Sequence, residues 1–266
     1  MIKPVDSTTR KKVRAKRVDL MLATISIVGA LALWTLVGQA GFVNKILLPS
    51  PNEVLNSLIE TTLDGSLWIN LRASLLRVLE GFALGFCVAV PIGILMGNFR
   101  VFRGLVEPLV ELVRPIPPIA VIPMAILWFG IGEISKVFII AYGAFFPILV
   151  NTIAGFREVD PVLIRAARTL GANRWQVFRD VVLRSALPFI IVGARLGMGF
   201  AFIVLVAAEL IASSEGLGFL INDARYNFRT DRVFLGMIVI GVLGFALNKI
   251  LIEVERWLLR WRPTTN

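Results

Sequence analysis

Two charges interrupt the apolar stretch 187–213: Arg195 and Glu209, 14 positions apart. On one helix they would stand about 21 Å apart along the axis and within about 40° of the same face. Ionisable groups in such a segment are costly, and by default they mark function. Arg195 suits transient pairing with an anionic solute. Glu209 can line the same path, and each residue can equally be neutralised by a neighbouring helix. Enzyme chemistry has little to work with. The chain has no histidine and one cysteine, Cys87, so a metal site, a Ser–His pair and an internal disulfide all lack candidates. No aspartate falls inside an apolar stretch, which removes an intramembrane aspartyl pair. The chain carries no Gly-x-x-x-x-Gly-Lys-Ser/Thr sequence, so it has no P-loop of its own for ATP. No catalytic residue, metal or cofactor is expected.

Two further constellations carry meaning. Residues 164–188, "IRAARTLGANRWQVFRDVVLRSALP", hold five arginines between apolar stretches. Asp160 followed by Pro161 is a helix start, and Leu163, Ala166, Ala167 and Leu170 form an apolar stripe that ends at Gly171. Asn173 can cap a second helix in which Trp175, Phe178 and Val181 or Val182 recur at helical spacing. The pattern is helix, glycine turn, helix. It is tied at both ends to apolar spans, which argues against a DNA-reading module and against a nucleic-acid partner. Arginines that only enforce topology do not account for two capped amphipathic helices. A docking helix with basic residues around it does. The second constellation is "RPIPPIAVIP", 114–123, with Pro115, Pro117, Pro118 and Pro123. Such a stretch cannot form a regular helix, and irregular backbone at membrane depth is tolerated where it lines a cavity or is buried in protein. A gate or pathway is the preferred reading over a simple kink.

The elements that hold these residues follow from composition. With 57% hydrophobic and 17% charged residues and mean hydropathy +0.80, the chain reads as an all-α polytopic membrane protein. About six transmembrane helices are expected, near 20–40, 74–97, 105–128, 136–156, 187–213 and 232–255, within a single domain over 20–255. A basic segment 1–19, a loop 157–186 and a tail 256–266 lie on one side. Lys and Arg number 18 on that side and six on the other, which places both termini in the cytosol. The first apolar run is too long for a signal peptide and reads as an uncleaved anchor. Ser50, Pro51 and Glu53 predict a helix start, with Val54, Leu55, Leu58 and Ile59 laying that helix along the outer membrane surface; a plain connector is the alternative. Gly81/Gly85, Gly93/Gly97 and Gly193/Gly197 have the spacing that lets helices approach closely.

The segment "IRAARTLGANRWQVFRDVVL" resembles the cytoplasmic EAA loop of binding-protein-dependent ABC importer permeases, whose pattern is Glu-Ala-Ala, three residues, Gly, nine residues, Ile-x-Leu-Pro. Ala166, Ala167, Gly171, Val181 and Leu183 occupy matching positions. Arg165 stands where the pattern has its acid and Arg184 where it has its proline, so the shape of the helix is what carries over. "LPSPNEV", "RPIPPIAVIPMAILWFGIGEISK", "AFFPILVNT", "RAARTLGA" and "AAELIASSEGLGFLI" are similar, in that order, to the nitrate, sulfonate and taurine branch of the family. "RPIPP" and "IRAA" lean toward taurine or alkanesulfonate permeases.

The resemblance implies the type I ABC importer permease architecture and a bacterial inner-membrane location. It implies two cytosolic ATPase subunits, a second permease subunit expected to be identical, and an extracytoplasmic solute-binding protein as partners, with membrane lipid around them. ATPase coupling would involve Leu163, Arg165, Ala166, Ala167, Arg168, Leu170, Gly171 and Ala172, with Arg174 beside them. Pro115, Pro117, Pro118, Arg195 and Glu209 are the expected gate or pathway residues. An importer of nitrate or another small anion is the near alternative. An ion-coupled secondary carrier is the distant one, and it would usually place aspartates or histidines at mid-membrane.

Overall fold

The computed structural model describes residues 21–22, 24–26, 28–38 and 47–260; segment 1–19 and the tail beyond 260 lie outside them. All regular elements described are helices: α1 (Thr24–Gly38), α2 (Pro51–Leu63), α3 (Ser66–Asn98), α4 (Arg100–Val113), α5 (Pro118–Phe129), α6 (Glu133–Arg157), α7 (Pro161–Thr169), α8 (Arg174–Gln176), α9 (Leu183–Ala212), α10 (Leu217–Tyr226) and α11 (Thr230–Leu258). A π-helical segment, Val177–Val182, joins α8 to α9, so Arg174–Ala212 is one 39-residue rod. Four helices among the described residues are long and apolar enough to cross a membrane: α3, α6, α11 and this rod. The pair α4 and α5 makes a fifth span if counted together. α1 covers part of the expected first span and is shorter than a full crossing.

The core is a stack of α3, α6 and α9 with α6 in the middle. The glycine pairs make this possible. A Cβ on Gly81, Gly85, Gly93 or Gly97 of α3 would come within 2.7 Å of an α6 atom, and one on Gly193 or Gly197 of α9 within 2.8 Å of Asn151 or Ile148 of α6. Without side chains in the way the helices close to backbone contact, and dispersion rather than water exclusion then holds them in an apolar surround. Ile139, Ile140, Ala144, Ile148 and Leu149 of α6 are fully buried between the two faces.

One end of the stack is fastened by charge. Arg77 of α3 donates to Glu133 at the start of α6 through Nε (2.6 Å) and Nη2 (2.7 Å), and its Nη1 donates to Glu209 of α9 (2.8 Å) and to the Glu215 carbonyl (2.6 Å). Glu209 also accepts from the Gly218 amide at 2.9 Å and lies 2.8 Å from Ser74 Oγ. Lys136 closes the cluster on Glu133 at 2.9 Å. Three helices and the α9–α10 loop thus meet at one guanidinium.

The helix α2 begins as expected, with Ser50 Oγ accepting from the Glu53 amide and Glu53 Oε2 from the Ser50 amide. The apolar face expected of it is split. Val54, Ser57 and Thr61 turn inward, and Leu55 and Ile59 stay exposed, because Ser57 donates to Asp231 of α11 and Glu60 pairs with Arg229 and Arg232. Those two arginines hold the Glu60 carboxyl below its usual range.

Two outcomes test this packing. Gly85→Val places a branched side chain whose Cβ lies 2.7 Å from the Ala141 carbonyl oxygen, so thermal unfolding in detergent should show a loss of about 1–3 kcal/mol, whereas Leu84→Val on the exposed face should be neutral. Arg77→Gln strands two carboxylates and Glu209→Gln disturbs one pair, so both should lower the melting temperature, the arginine variant more. Breaking a buried pair from one side costs about 3–5 kcal/mol; equal melting of both variants and the parent would refute the fastening role.

Candidate functional site

At the end of the stack opposite the Arg77 cluster, the 157–186 loop folds as helix, glycine turn, helix. Asp160 Oδ1 accepts from the Val162 amide at 2.7 Å, and Pro161 occupies the first helical position. The helix stops in a Schellman arrangement: the Gly171 amide donates to the Arg168 carbonyl (3.0 Å) and the Ala172 amide to the Ala167 carbonyl (3.0 Å). Gly171 has φ +84° and open space around it, so glycine is needed here for conformation and not to relieve a contact inside the chain. Asn173 and Gln176 then form a reciprocal cap on α8.

The apolar stripe is split. Ile164, Ala167 and Ala172 pack inward on Phe156, Val159, Val177 and Val182, while Leu163 and Ala166 face out and Leu170 is 87% exposed. Ile164 is the inward anchor that a stripe drawn through Leu163 and Ala167 overlooked. Val162, 55% exposed, and Trp175, 64% exposed, extend the outward apolar surface. Arg165, Arg168 and Arg174 surround it, exposed and without an ion pair among the described residues. The second amphipathic helix and the fifth expected span are continuous: Pro188 lies inside α9 instead of opening it, so the loop is the foot of the rod that ends at Glu209.

The proline stretch breaks the third expected span. α4 and α5 meet at 98°. Pro117 is extended, with φ −61° and ψ 134°, as a residue before proline tends to be. The carbonyls at the break are met from α6 by a bifurcated bond: the Tyr142 hydroxyl donates to Ile116 O (3.3 Å) and to Val113 O (3.2 Å), which also accepts from the Ile116 amide (3.0 Å). Beside the break is a cavity of about 320 Å³ bordered by Arg114, Pro118, Tyr142, Phe146 and Asn151 with Phe200 of α9. Pro118 lines it; Pro115 and Pro117 are exposed nearby.

The two charges that share a helical face do not share a site. Arg195 pairs with Glu255 of α11. Glu209 is 1% exposed and enclosed in the Arg77 cluster. Arg114, Tyr142 and Asn151 are the cavity's polar residues. Arg114 falls inside the third expected span, 105–128, and had no assigned role; its position beside the proline break was the available signal.

Comparison with known proteins agrees with this architecture. The family model described as binding-protein-dependent transport system inner membrane component matches residues 89–261. The taurine transport system permease protein TauC of Escherichia coli is 38% identical, with 93% of this chain and 91% of that protein covered. The bicarbonate transport system permease protein CmpB of Synechococcus elongatus is 31% identical over 94% and 93%. Among solved structures, an inward-facing conformation of the MetNI methionine ABC transporter superposes with a TM-score of 0.51 at 23% identity, covering 70% of this chain and 97% of that one; at that identity it speaks for the fold alone. The glycine-packed helical stack, the capped loop at its foot and the match over most of the chain make this a binding-protein-dependent ABC importer permease, a multi-pass membrane subunit and not an enzyme.

Proposed function

We propose that this permease imports a small organic anion, taurine or another aliphatic sulfonate, and that α7 is the element through which separate cytosolic ATPase subunits drive it. The substrate class is supported by the greater identity to the taurine permease than to the bicarbonate permease. Import of bicarbonate or nitrate is the second reading. A pair of identical permease chains, both termini in the cytosol and a bacterial inner-membrane setting complete the proposal, with the 18-to-six distribution of basic residues supporting the orientation.

One observation carries the coupling role. α7 is capped at both ends, anchored inward by Ile164 and Ala167, and presents Val162, Leu163, Ala166 and Leu170 outward with no cover from the described residues. A short rigid helix of that form fits an apolar groove on a partner. Because its foot is continuous with α9 through the π-helical segment, closure of two ATPases moves each loop together with a rod that reaches the outer cluster.

Leu163→Glu and Ala166→Glu should abolish ATP-driven import in reconstituted vesicles and release the copurifying ATPase, since burying one apolar side chain is worth about 1.5–3 kcal/mol, or tenfold and more in affinity. Arg168→Gln should cost far less, because exposed pairs contribute about 0.2–1 kcal/mol. Full import by both glutamate variants would exclude docking through this face. Import that survives blocked hydrolysis under an imposed ion gradient would favour a secondary carrier instead.

A further inference from the structure

Arg77, Arg114 and Arg195 fall inside expected spans, and Arg114 differs from the other two. Arg77 commits four of its five N–H donors to Glu133, Glu209 and the Glu215 carbonyl, and Arg195 is paired with Glu255. The guanidinium of Arg114 has no hydrogen-bond or ion-pair partner among the described residues. It stands where α4 breaks from α5, and the Tyr142 hydroxyl ties that break to the middle third of α6. A cation at that depth is stable only beside water, an anion or a counter-charge. The 320 Å³ cavity supplies the space, at the small end of the range for ligand sites.

The cavity's chemistry is specific. Tyr142 is committed to the backbone of the break. Asn151 Nδ2 donates to the Pro147 carbonyl, which leaves its Oδ1 and one N–H free. Phe146 and Phe200 supply apolar walls. We infer that this cavity is an intramembrane subsite for the oxyanion end of the transported solute, with Arg114 making charge-assisted hydrogen bonds to a sulfonate, Asn151 adding an amide contact and the aromatic walls taking the short aliphatic part. The inference rests on the importer reading above and adds to it where in the permease the anion is felt. An open site with a single unpaired cation holds its ligand loosely, which a transport path requires for release.

The test is import of radiolabelled taurine by the assembled complex with its binding protein in proteoliposomes. Arg114→Gln should raise the KM for import about tenfold, the worth of one charge-assisted contact, and Arg114→Lys should recover most of that loss because the charge is kept. Asn151→Asp, nearly isosteric, should impair import comparably by putting a carboxylate against the anion or against Arg114; it keeps the inference testable if Arg114→Gln does not assemble. A parental KM in both the glutamine and the aspartate variants would overturn the subsite, as would Arg114→Lys failing as badly as Arg114→Gln in complexes that retain their ATPase. A parental complex that hydrolyses ATP yet imports neither taurine, nitrate nor bicarbonate is a different result: it overturns the importer reading and the subsite with it.

Discussion

In hydrocarbon no water is present to satisfy a polar group, so each donor or acceptor at membrane depth must find its partner inside the protein. That constraint accounts for most of the polar geometry described. It is why the Arg77 guanidinium gathers two carboxylates and a carbonyl, and why Gly216 and Leu217 donate their amides to Asn70 and Ser74. It is also why a tyrosine in the middle of α6 reaches across to the two carbonyls beside a helix break. The apolar contacts obey a complementary limit: lipid offers the same dispersion as leucine, so helices adhere only where close approach adds contact. The glycines of α3 and α9 supply that approach on both sides of α6.

These two kinds of contact produce a body that moves as rods rather than as a flexible sheet of helices. The helix Arg174–Ala212 runs without interruption from the 157–186 loop past Glu209, and Glu209 is locked to α3 and α6 through Arg77. Under the proposed coupling role, a push on α7 has little to dissipate it along α9. The one irregularity is the π-helical segment Val177–Val182. Wide turns of this type inside α-helices recur at functional positions, and this one lies where the loop that bears α7 joins the span.

Much of this was readable from the residues, and the failures have physical causes. Caps were legible because they are local: Ser50 with Glu53, Asp160 with Pro161, and Asn173, whose reciprocal partner Gln176 the structure adds, each need only residues three or fewer positions apart. The break at the prolines was legible because proline removes a donor wherever it sits. Partners across helices were not. Arg195 and Glu209 lie on similar helical phases, and nothing in one helix reveals that Glu255 waits beside the first and Arg77 beside the second. The inward face of α7 was not legible for a related reason. Ile164 and Leu163 are equally apolar, and only Phe156 and Val182 across the gap decide which of them is buried. Pro188 looked like a boundary, yet the helix continues through it.

The same constraint separates a structural charge from a functional one. An arginine with four of its five N–H donors committed, as with Arg77, offers little to a passing anion, since most new contacts must displace an existing one of equal strength. Such a residue can hold helices together through many transport cycles. An arginine that lines a path must remain unsatisfied between visits, and at membrane depth that state is tolerable only beside a cavity that admits water. Arg114 meets both conditions: no partner among the described residues and an open cavity next to it. The helix break beside it serves the same end, because a continuous helix at that point would fill the space the anion needs. The prolines, the tyrosine that stabilises their carbonyls and the unpaired guanidinium therefore form one arrangement, in which the disruption of the helix creates the room and the charge gives that room its preference.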